Sequence, residues 1–329
     1  MTRALTRTGA AGGLPSTGAE LARESVEKAA GFAEASRAAA TRHAYERDWA
    51  LFQAWCREVG VEPLPADARA VASFLGWLAG RGLAPLTVGR RLAAIGWAHR
   101  RAGQQAPQKG EGAAVILEVM AGIRRSRATP PTKKAAADAD ILRDVLRAIQ
   151  GDDLRSVRDR ALIAFGMASA LRRSEIVALE VSDVARVPEG LRVAVRRSKA
   201  DQEGKGETIA IPEGRRLRPV ALLEDWMARA MVEDGPLFRR LDRLGMPTMD
   251  PMSDRAVARV VKARVEAAGY DPADFAGHSL RAGFLTAAAR AGASIFKMRE
   301  VSRHKSLDVL SGYVRDAELF RDHAGKDFL

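Results

Sequence analysis

Residues 159–211 read DRALIAFGMASALRRSEIVALEVSDVARVPEGLRVAVRRSKADQEGKGETIAI, and the hydrophobic period changes inside this stretch. The run from Ala161 to Leu171 is almost wholly apolar, as expected for a buried helix. Further on, Leu191, Val193 and Val195 alternate with Arg192, Ala194 and Arg196, which predicts a half-buried strand. Thr208, Ile209, Ala210 and Ile211 form its return partner, with Gly204 and Gly206 in the intervening turn. A helix that gives way to one hairpin, in a chain otherwise of helical period, fixes the class as mainly α with a small antiparallel β-sheet.

Working outward, Ile141, Leu142, Val145 and Ile149 make a helical stripe that opens the second domain near Asp138. Beyond the hairpin the helical period returns over 217–232, 253–268, 279–291 and 294–302, with a final helix from about Ala317. Upstream, Tyr45, Trp49, Phe52, Trp55 or Cys56, and Val59 recur at three- and four-residue spacing, and Gly60 and Pro63 close that helix. Asp67 can cap a second helix through Val71, Phe74, Leu75 and Leu78, and Thr87 a third through Val88, Leu92, Ile95 and Ala98. A fourth passes through Val115, Ile116, Val119 and Ile123. Between residues 119 and 137 Arg124, Arg125, Arg127, Lys133 and Lys134 occur with no acidic residue, and Pro130 with Pro131 interrupts any helix. The expected organisation is a mobile tail over 1–35, a helical domain over 36–125, a basic linker over 126–137 and a second domain over 138–329, ending in an apolar segment, 317–329. No fixed-period repeat is visible.

At 329 residues, 47% of them hydrophobic and 29% charged, the chain can bury two cores and is not a disordered one. No apolar run approaches the roughly 20 residues that cross a bilayer, and the N-terminus lacks the apolar stretch of a secretory signal, so a cytoplasmic protein is expected. Cys56 alone forms neither an internal disulfide nor a zinc cluster and is read as a buried thiol; no metal or cofactor is expected. Lysines and arginines number 53 against 41 acidic residues, a net charge of +12 that points to a polyanionic partner.

Five features can carry chemistry. Arg172 lies in Ala-Leu-Arg-Arg-Ser-Glu after the apolar helix, and Lys199 follows the first hairpin strand. His278-Ser-Leu-Arg281 opens a helix with imidazole and guanidinium on one face, near the positive end of the helix dipole. His304 sits in Arg-His-Lys-Ser, and Tyr313 follows nine residues later. Alone, each is more often a salt-bridge, surface or core residue.

In this order they resemble the catalytic set of the tyrosine recombinase (phage integrase) family, over almost the whole chain from Ser36 and closest to its Cre-like members. The resemblance implies the tyrosine recombinase fold, a helical core-binding domain followed by the catalytic domain. It assigns Arg172 and Glu175 to the first arginine box, Lys199 to the hairpin lysine, His278 and Arg281 to the His-x-x-Arg box, His304 to the following His/Trp position and Tyr313 to the nucleophile. Many relatives carry glycine just before that His/Trp position, where this chain has Arg303.

The chemistry agrees. Attack on a phosphodiester builds charge on the non-bridging oxygens, and two guanidiniums with planar N–H pairs can meet it, aided by His278 and His304. A tyrosine hydroxyl is a weak nucleophile at neutral pH, so Tyr313 needs a base or a strongly cationic surrounding, and His278 is the candidate for assisting the proton transfer. By resemblance the products are a 3′-phosphotyrosine and a 5′-hydroxyl protonated by Lys199, the task is site-specific recombination through a Holliday junction, and neither ATP nor a metal is required. Glu175 orients its neighbours.

The partner is then double-stranded DNA carrying a specific site, clamped between the two domains as the resemblance implies. The linker cations Arg124, Arg125, Arg127, Lys133 and Lys134 would follow the phosphates. Thr87, Arg90, Arg91 and Arg101 would face the bases from the third helix, and Arg255, Arg259 and Lys262 would add contacts from the second domain. By resemblance the apolar segment 317–329 docks into a neighbouring subunit, giving a homotetramer on two DNA sites and a nucleoid-associated protein of bacterial, phage or plasmid origin. The competing readings are a type IB topoisomerase or telomere resolvase, and a non-catalytic DNA-binding regulator.

Overall fold

The computed structural model describes residues 23–26, 28, 29, 31, 32, 39–127, 135–196, 206–319 and 325. The chain divides into two compact units at Pro131 and Thr132.

Among the described residues the first unit has four longer helices, α1 (Ala39–Val59), α2 (Ala68–Gly80), α3 (Pro85–Arg101) and α4 (Ala113–Ser126). Their apolar stripes meet in one core in which Phe52, Cys56, Val71, Phe74, Leu75, Leu78, Val88, Ile95 and Ile116 are fully buried. Burial pushes the Cys56 thiol upward in pKa, as expected of an inert core cysteine. Asp67 caps α2, its Oδ2 accepting from the amides of Arg69 at 2.8 Å and Ala70 at 3.1 Å. Thr87 does not cap α3: that helix starts earlier, at Pro85, with Ala84 as its cap residue, and Thr87 lies in the first turn. A proline in the first helical position has its φ preset and needs no partner for a missing N–H, so it starts the helix without a side-chain cap.

His99, fully buried, joins two elements of this unit. Its Nε2 accepts from the Ala66 amide at 2.9 Å and its Nδ1–H donates to the Ile95 carbonyl at 2.8 Å, which fixes the neutral tautomer with the proton on Nδ1. Burial holds its pKa below the usual imidazole value.

In the second unit, α5 (Ala139–Ala148) is capped by Asp138, and α6 (Leu154–Ala168) by Asp153, which accepts from the Ser156 amide at 3.1 Å and hydroxyl at 2.8 Å. A short helix α7 (Arg173–Ile176) follows, then β1 (Val184–Val187), β2 (Gly190–Val195) and β3 (Glu207–Pro212), antiparallel in that order. Leu191 pairs with Ile211 and Val193 with Ile209; these residues and Val195 are buried, while Arg192, Thr208 and Ala210 are exposed. That is the period-2 pattern of the sequence. The chain continues through α8 (Pro219–Arg229), a two-stranded ribbon of β4 (Arg239–Leu241) and β5 (Pro247–Pro251), α9 (Asp254–Ala267), α10 (Ser279–Arg290), α11 (Ile295–Ser302) and α12 (Leu307–Ala317).

The sheet, α6 and α8 enclose the largest core, which includes Phe165, Trp226 and Phe238. Buried Asp159 ties α6 to α9, receiving Arg158 Nη2 at 2.9 Å and Arg264 Nη2 at 2.8 Å. β1, the β4–β5 ribbon and α12 are additional to the elements expected from the sequence. The sequence also predicts a final helix from about Ala317, where α12 instead ends; residues 320–324 and 326–329, and with them most of the 317–329 segment, lie outside the described residues. Among the described residues no helix is long and apolar enough to cross a membrane.

Candidate active site

Two non-glycine residues with left-handed backbones frame the site: Ala170 at φ 48° and Arg303 at φ 55°. Each such residue costs about 1–2 kcal/mol relative to a right-handed one. Ala170 turns the chain from the end of α6 into α7, for which Arg172 is the N-cap residue. Glu175, three residues on, completes the cap: its Oε2 accepts from the Arg172 amide at 2.7 Å, and its Oε1 from Arg172 Nη1 at 2.8 Å. Glu175 is buried, and Arg172 is half-buried.

The second arginine comes from α10. Ser279, just after His278, is buried, and its Oγ accepts from the Ala276 amide at 2.9 Å, which fixes the start of this helix. Leu280 then enters the core, leaving Arg281 to turn toward the α6–α7 corner, where its Nη1 donates to the Ala170 carbonyl at 2.6 Å. Loss of solvation, added to the charge of Arg172, lowers the Arg281 pKa to about 10, so it stays a cation at neutral pH.

His304 completes this corner. Arg281 Nη2 lies 3.1 Å from its Nδ1 and 3.4 Å from its Nε2, and Ser302 Oγ lies 2.8 Å from Nδ1. Desolvation first, then Arg281 and Arg172, lower its pKa to about 4, so the ring is neutral at physiological pH. His278 remains accessible to solvent, yet partial desolvation and the charges of Arg173, Arg281 and Arg172 hold it below the usual imidazole value.

Tyr313 lies on α12, whose Leu310 is fully buried against Leu285, Ala289 and Met298. Tyr313 packs against that cluster; burial raises the phenol pKa and the Arg281 charge works against that rise. Arg172, Glu175, His278, Arg281, His304 and Tyr313 thus gather around one corner of the second unit. Lys199, in the segment 197–205, lies outside the described residues, as do Lys133 and Lys134.

Two members of the site lack a sequence assignment. Arg173 is one of the charges depressing His278. Arg303, just after α11, buries its guanidinium and donates from Nη2 to Glu175 Oε2 at 2.6 Å. Its identity was legible as a departure from the family pattern; its partner, 128 positions away, was not.

The remaining predicted cations are dispersed. Arg124, Arg125 and Arg127 are exposed at and just beyond the end of α4. On α3, Arg90 grips buried Asp48 through Nε at 2.8 Å and Nη2 at 3.1 Å, and Arg91 Nε lies 3.6 Å from the same carboxylate. Arg101 lies over the Trp97 ring, 5.1 Å from its centroid. Arg255, Arg259 and Lys262 are exposed on α9, and Arg259 joins Arg155, Arg158, Arg240 and Arg264 around a depression of about 670 Å³. No group of three or more His, Cys, Asp or Glu side chains among the described residues is placed to hold a metal ion.

Residues 138–319 match the phage integrase family. The chain is 35% identical over 293 residues to the integrase/recombinase xerD homolog of Selenomonas ruminantium, covering 88% of this chain and 86% of that protein. It is 26% identical to the recombinase cre of Escherichia phage P1 over 291 residues, 83% of this chain and 82% of that one. Among solved structures, the XerH site-specific recombinase bound to palindromic difH substrate superposes with a TM-score of 0.60 at 17% identity, covering 77% of this chain and 70% of that one. The Tn1549 transposon integrase in complex with transposon right end DNA gives the same TM-score at 16% identity, over 86% and 93%.

Proposed function

The chain belongs to the phage integrase family, and from that premise we propose that it recombines double-stranded DNA at specific sites by transesterification at Tyr313. The observation that carries this reading is the convergence of Arg172 and Arg281, from distant parts of the sequence, on one corner, where Arg281 Nη1 bonds the Ala170 carbonyl two residues before Arg172.

A scissile phosphate at this corner would meet two guanidiniums that are already ordered, half-buried Arg172 by Glu175 and buried Arg281 by the Ala170 carbonyl. Fixed donors of this kind stabilise the extra negative charge of the five-coordinate transition state without reorganising, and losing one typically slows such reactions about 10²- to 10³-fold. Tyr313 Oη attacks phosphorus while its proton passes to neutral His278. The bond from phosphorus to the 5′ oxygen breaks, and that oxygen leaves as a hydroxyl after taking a proton from Lys199. The 3′-phosphotyrosine conserves the phosphoester, so a 5′-hydroxyl from a second duplex can reverse the step and join exchanged strands. Two rounds of exchange pass through a Holliday junction, with four copies of the chain arranged on two DNA sites. Arg124, Arg125, Arg127, Arg255, Arg259 and Lys262 are exposed to solvent and would meet the DNA backbone.

The test begins with a site selected by the protein from a randomised duplex pool and synthesised with a nick beside the candidate cleavage position. Wild type should form a covalent adduct that survives a denaturing gel, and Tyr313→Phe should not. An adduct from the phenylalanine variant removes Tyr313 as nucleophile. A tightly bound site that yields no adduct with wild type favours a DNA-binding regulator.

A further inference from the structure

We propose that Arg303 is a positioning residue for the cleavage step: its buried guanidinium holds Glu175 and offsets its charge, leaving the charge of Arg172 available to the phosphate. This rests on the recombinase reading above.

Arg303 occupies a position that suits it badly unless its charge is used. It follows α11 in the left-handed region, where glycine is the residue without steric penalty. Its side chain is 3% exposed, and its Nε and Nη1 are buried without a hydrogen-bond partner among the described residues. The nearest further carboxylate, Glu207 at the start of β3, lies 3.7 Å from Nε. A strained backbone and two orphaned donors are unfavourable, and glycine would avoid both. The compensating contact is the 2.6 Å bond from Nη2 to Glu175 Oε2.

Glu175 therefore stands between two arginines. Its Oε1 takes Arg172 Nη1, and its Oε2 takes the Arg172 amide and Arg303 Nη2. Without Arg303, the one buried carboxylate would be compensated by Arg172 alone, and the cation meant for phosphate would be half of a neutral pair. With Arg303, three guanidiniums (Arg172, Arg281 and Arg303) stand against that carboxylate, and two net charges remain for a transition state that gains negative charge. The Glu175 carboxylate also stays oriented by donors on both sides, which fixes the direction of the Arg172 fork. Arg303 does this through Glu175, without touching the phosphate.

The experiment uses the full chain and the nicked selected site, measuring duplex affinity and the single-turnover rate of adduct formation separately. Arg303→Gly should slow adduct formation about 10²-fold, the loss expected when one electrostatic contributor is removed, with affinity unchanged. Arg303→Lys keeps the charge and should recover most of the rate. In a Glu175→Gln background the further change Arg303→Gly should have no added effect, because the group it acts through is gone. Wild-type rates in Arg303→Gly, an affinity loss that accounts for the rate loss, failure of lysine to rescue, or a full additional effect on the Glu175→Gln background would each overturn the proposal. Absence of an adduct with wild type itself would overturn the recombinase reading and this proposal together, whereas equal adduct formation by wild type and Arg303→Gly overturns this proposal alone.

Discussion

Arg281 is fastened by Nη1 to the carbonyl oxygen of Ala170, 2.6 Å away and two residues before Arg172. One arginine of the site is thereby tied to the turn that delivers the other, so their spacing depends on a backbone corner as well as on side-chain packing. That corner is left-handed at Ala170, which is fully buried.

Ala170→Gly should be tolerated, because relief of the left-handed strain offsets the greater freedom of the unfolded chain, leaving stability within about 1 kcal/mol. Ala170→Val should be severe, since a β-branched residue is a true outlier at positive φ and needs volume in a filled core. The corner would move, and the Ala170 carbonyl would leave Arg281. Adduct formation and thermal midpoints for both variants check this: glycine near wild type, valine inactive or unfolded.

A second backbone approach supports the same helix. A Cβ added to Gly283, one turn beyond Arg281's N-terminal neighbour, would lie 1.8 Å from the Ala137 carbonyl oxygen. The Ala137 amide also donates to the Ser279 carbonyl at 3.2 Å, so this strand of chain lies along the start of α10. Because the obstacle is backbone, Gly283→Ala should destabilise the second unit by about 1–3 kcal/mol, the usual range for overpacking. Differential scanning calorimetry should show its transition lowered while that of the first unit stays in place.

The outcome along the chain follows from where each signal was stored. Helical stripes and the Leu191, Val193, Val195 alternation reflect local burial, and the structure reproduces them along with the cap at Asp67. β1 had no such pattern: its Ala185 and Arg186 are both exposed, and its strand form is imposed by pairing with β2. The β4–β5 ribbon is three residues against five, with prolines at both ends of β5, too short for a period to show. α12 was legible and missed, since Leu307, Leu310, Val314 and Ala317 repeat at helical spacing behind the Ser306 cap.

Site residues divide in the same way. Arg172, Glu175, His278, Arg281, His304 and Tyr313 could be singled out because their order along the chain is itself a signal. What each one bonds to could not, because Arg281–Ala170 and Arg303–Glu175 join residues more than a hundred positions apart. Arg90 shows the converse. Its charge is read as a DNA contact, and the structure adds a partner the sequence does not show, Asp48 from α1, 42 positions away, while the side chain stays about half exposed.

Acid should weaken the first unit through His99. Its folded pKa is below the 6.5 of a free imidazole, because burial disfavours the cation. Between the folded value and 6.5 the unfolded chain binds more protons, so stability rises with pH across that window. The contribution is complete above 6.5 and is lost as pH falls through the folded value. Trp49, Trp55, Trp77 and Trp97 lie in this unit and only Trp226 in the other, so tryptophan fluorescence during heating follows it selectively. The midpoint should fall from pH 7.5 to pH 5, and His99→Gln should start lower and show a flatter dependence.

The pH profile of cleavage tests how Tyr313 loses its proton. Burial raises the phenol above its ordinary 10.0, so almost none is ionised at neutral pH, while His278 lies below 6.5 and is free to accept. If tyrosinate had to form before attack, the rate would climb about tenfold per pH unit toward alkaline pH. With His278 accepting the proton during attack, the rate should instead be level from about pH 7 upward and fall in acid as the imidazole protonates, with a midpoint below its unperturbed value. His278→Ala should lower the plateau and restore the steep rise, because hydroxide then has to do what the imidazole did. Single-turnover adduct formation on the nicked site between pH 5 and 9 distinguishes the two shapes, and a steep rise already present in wild type would remove His278 from the role.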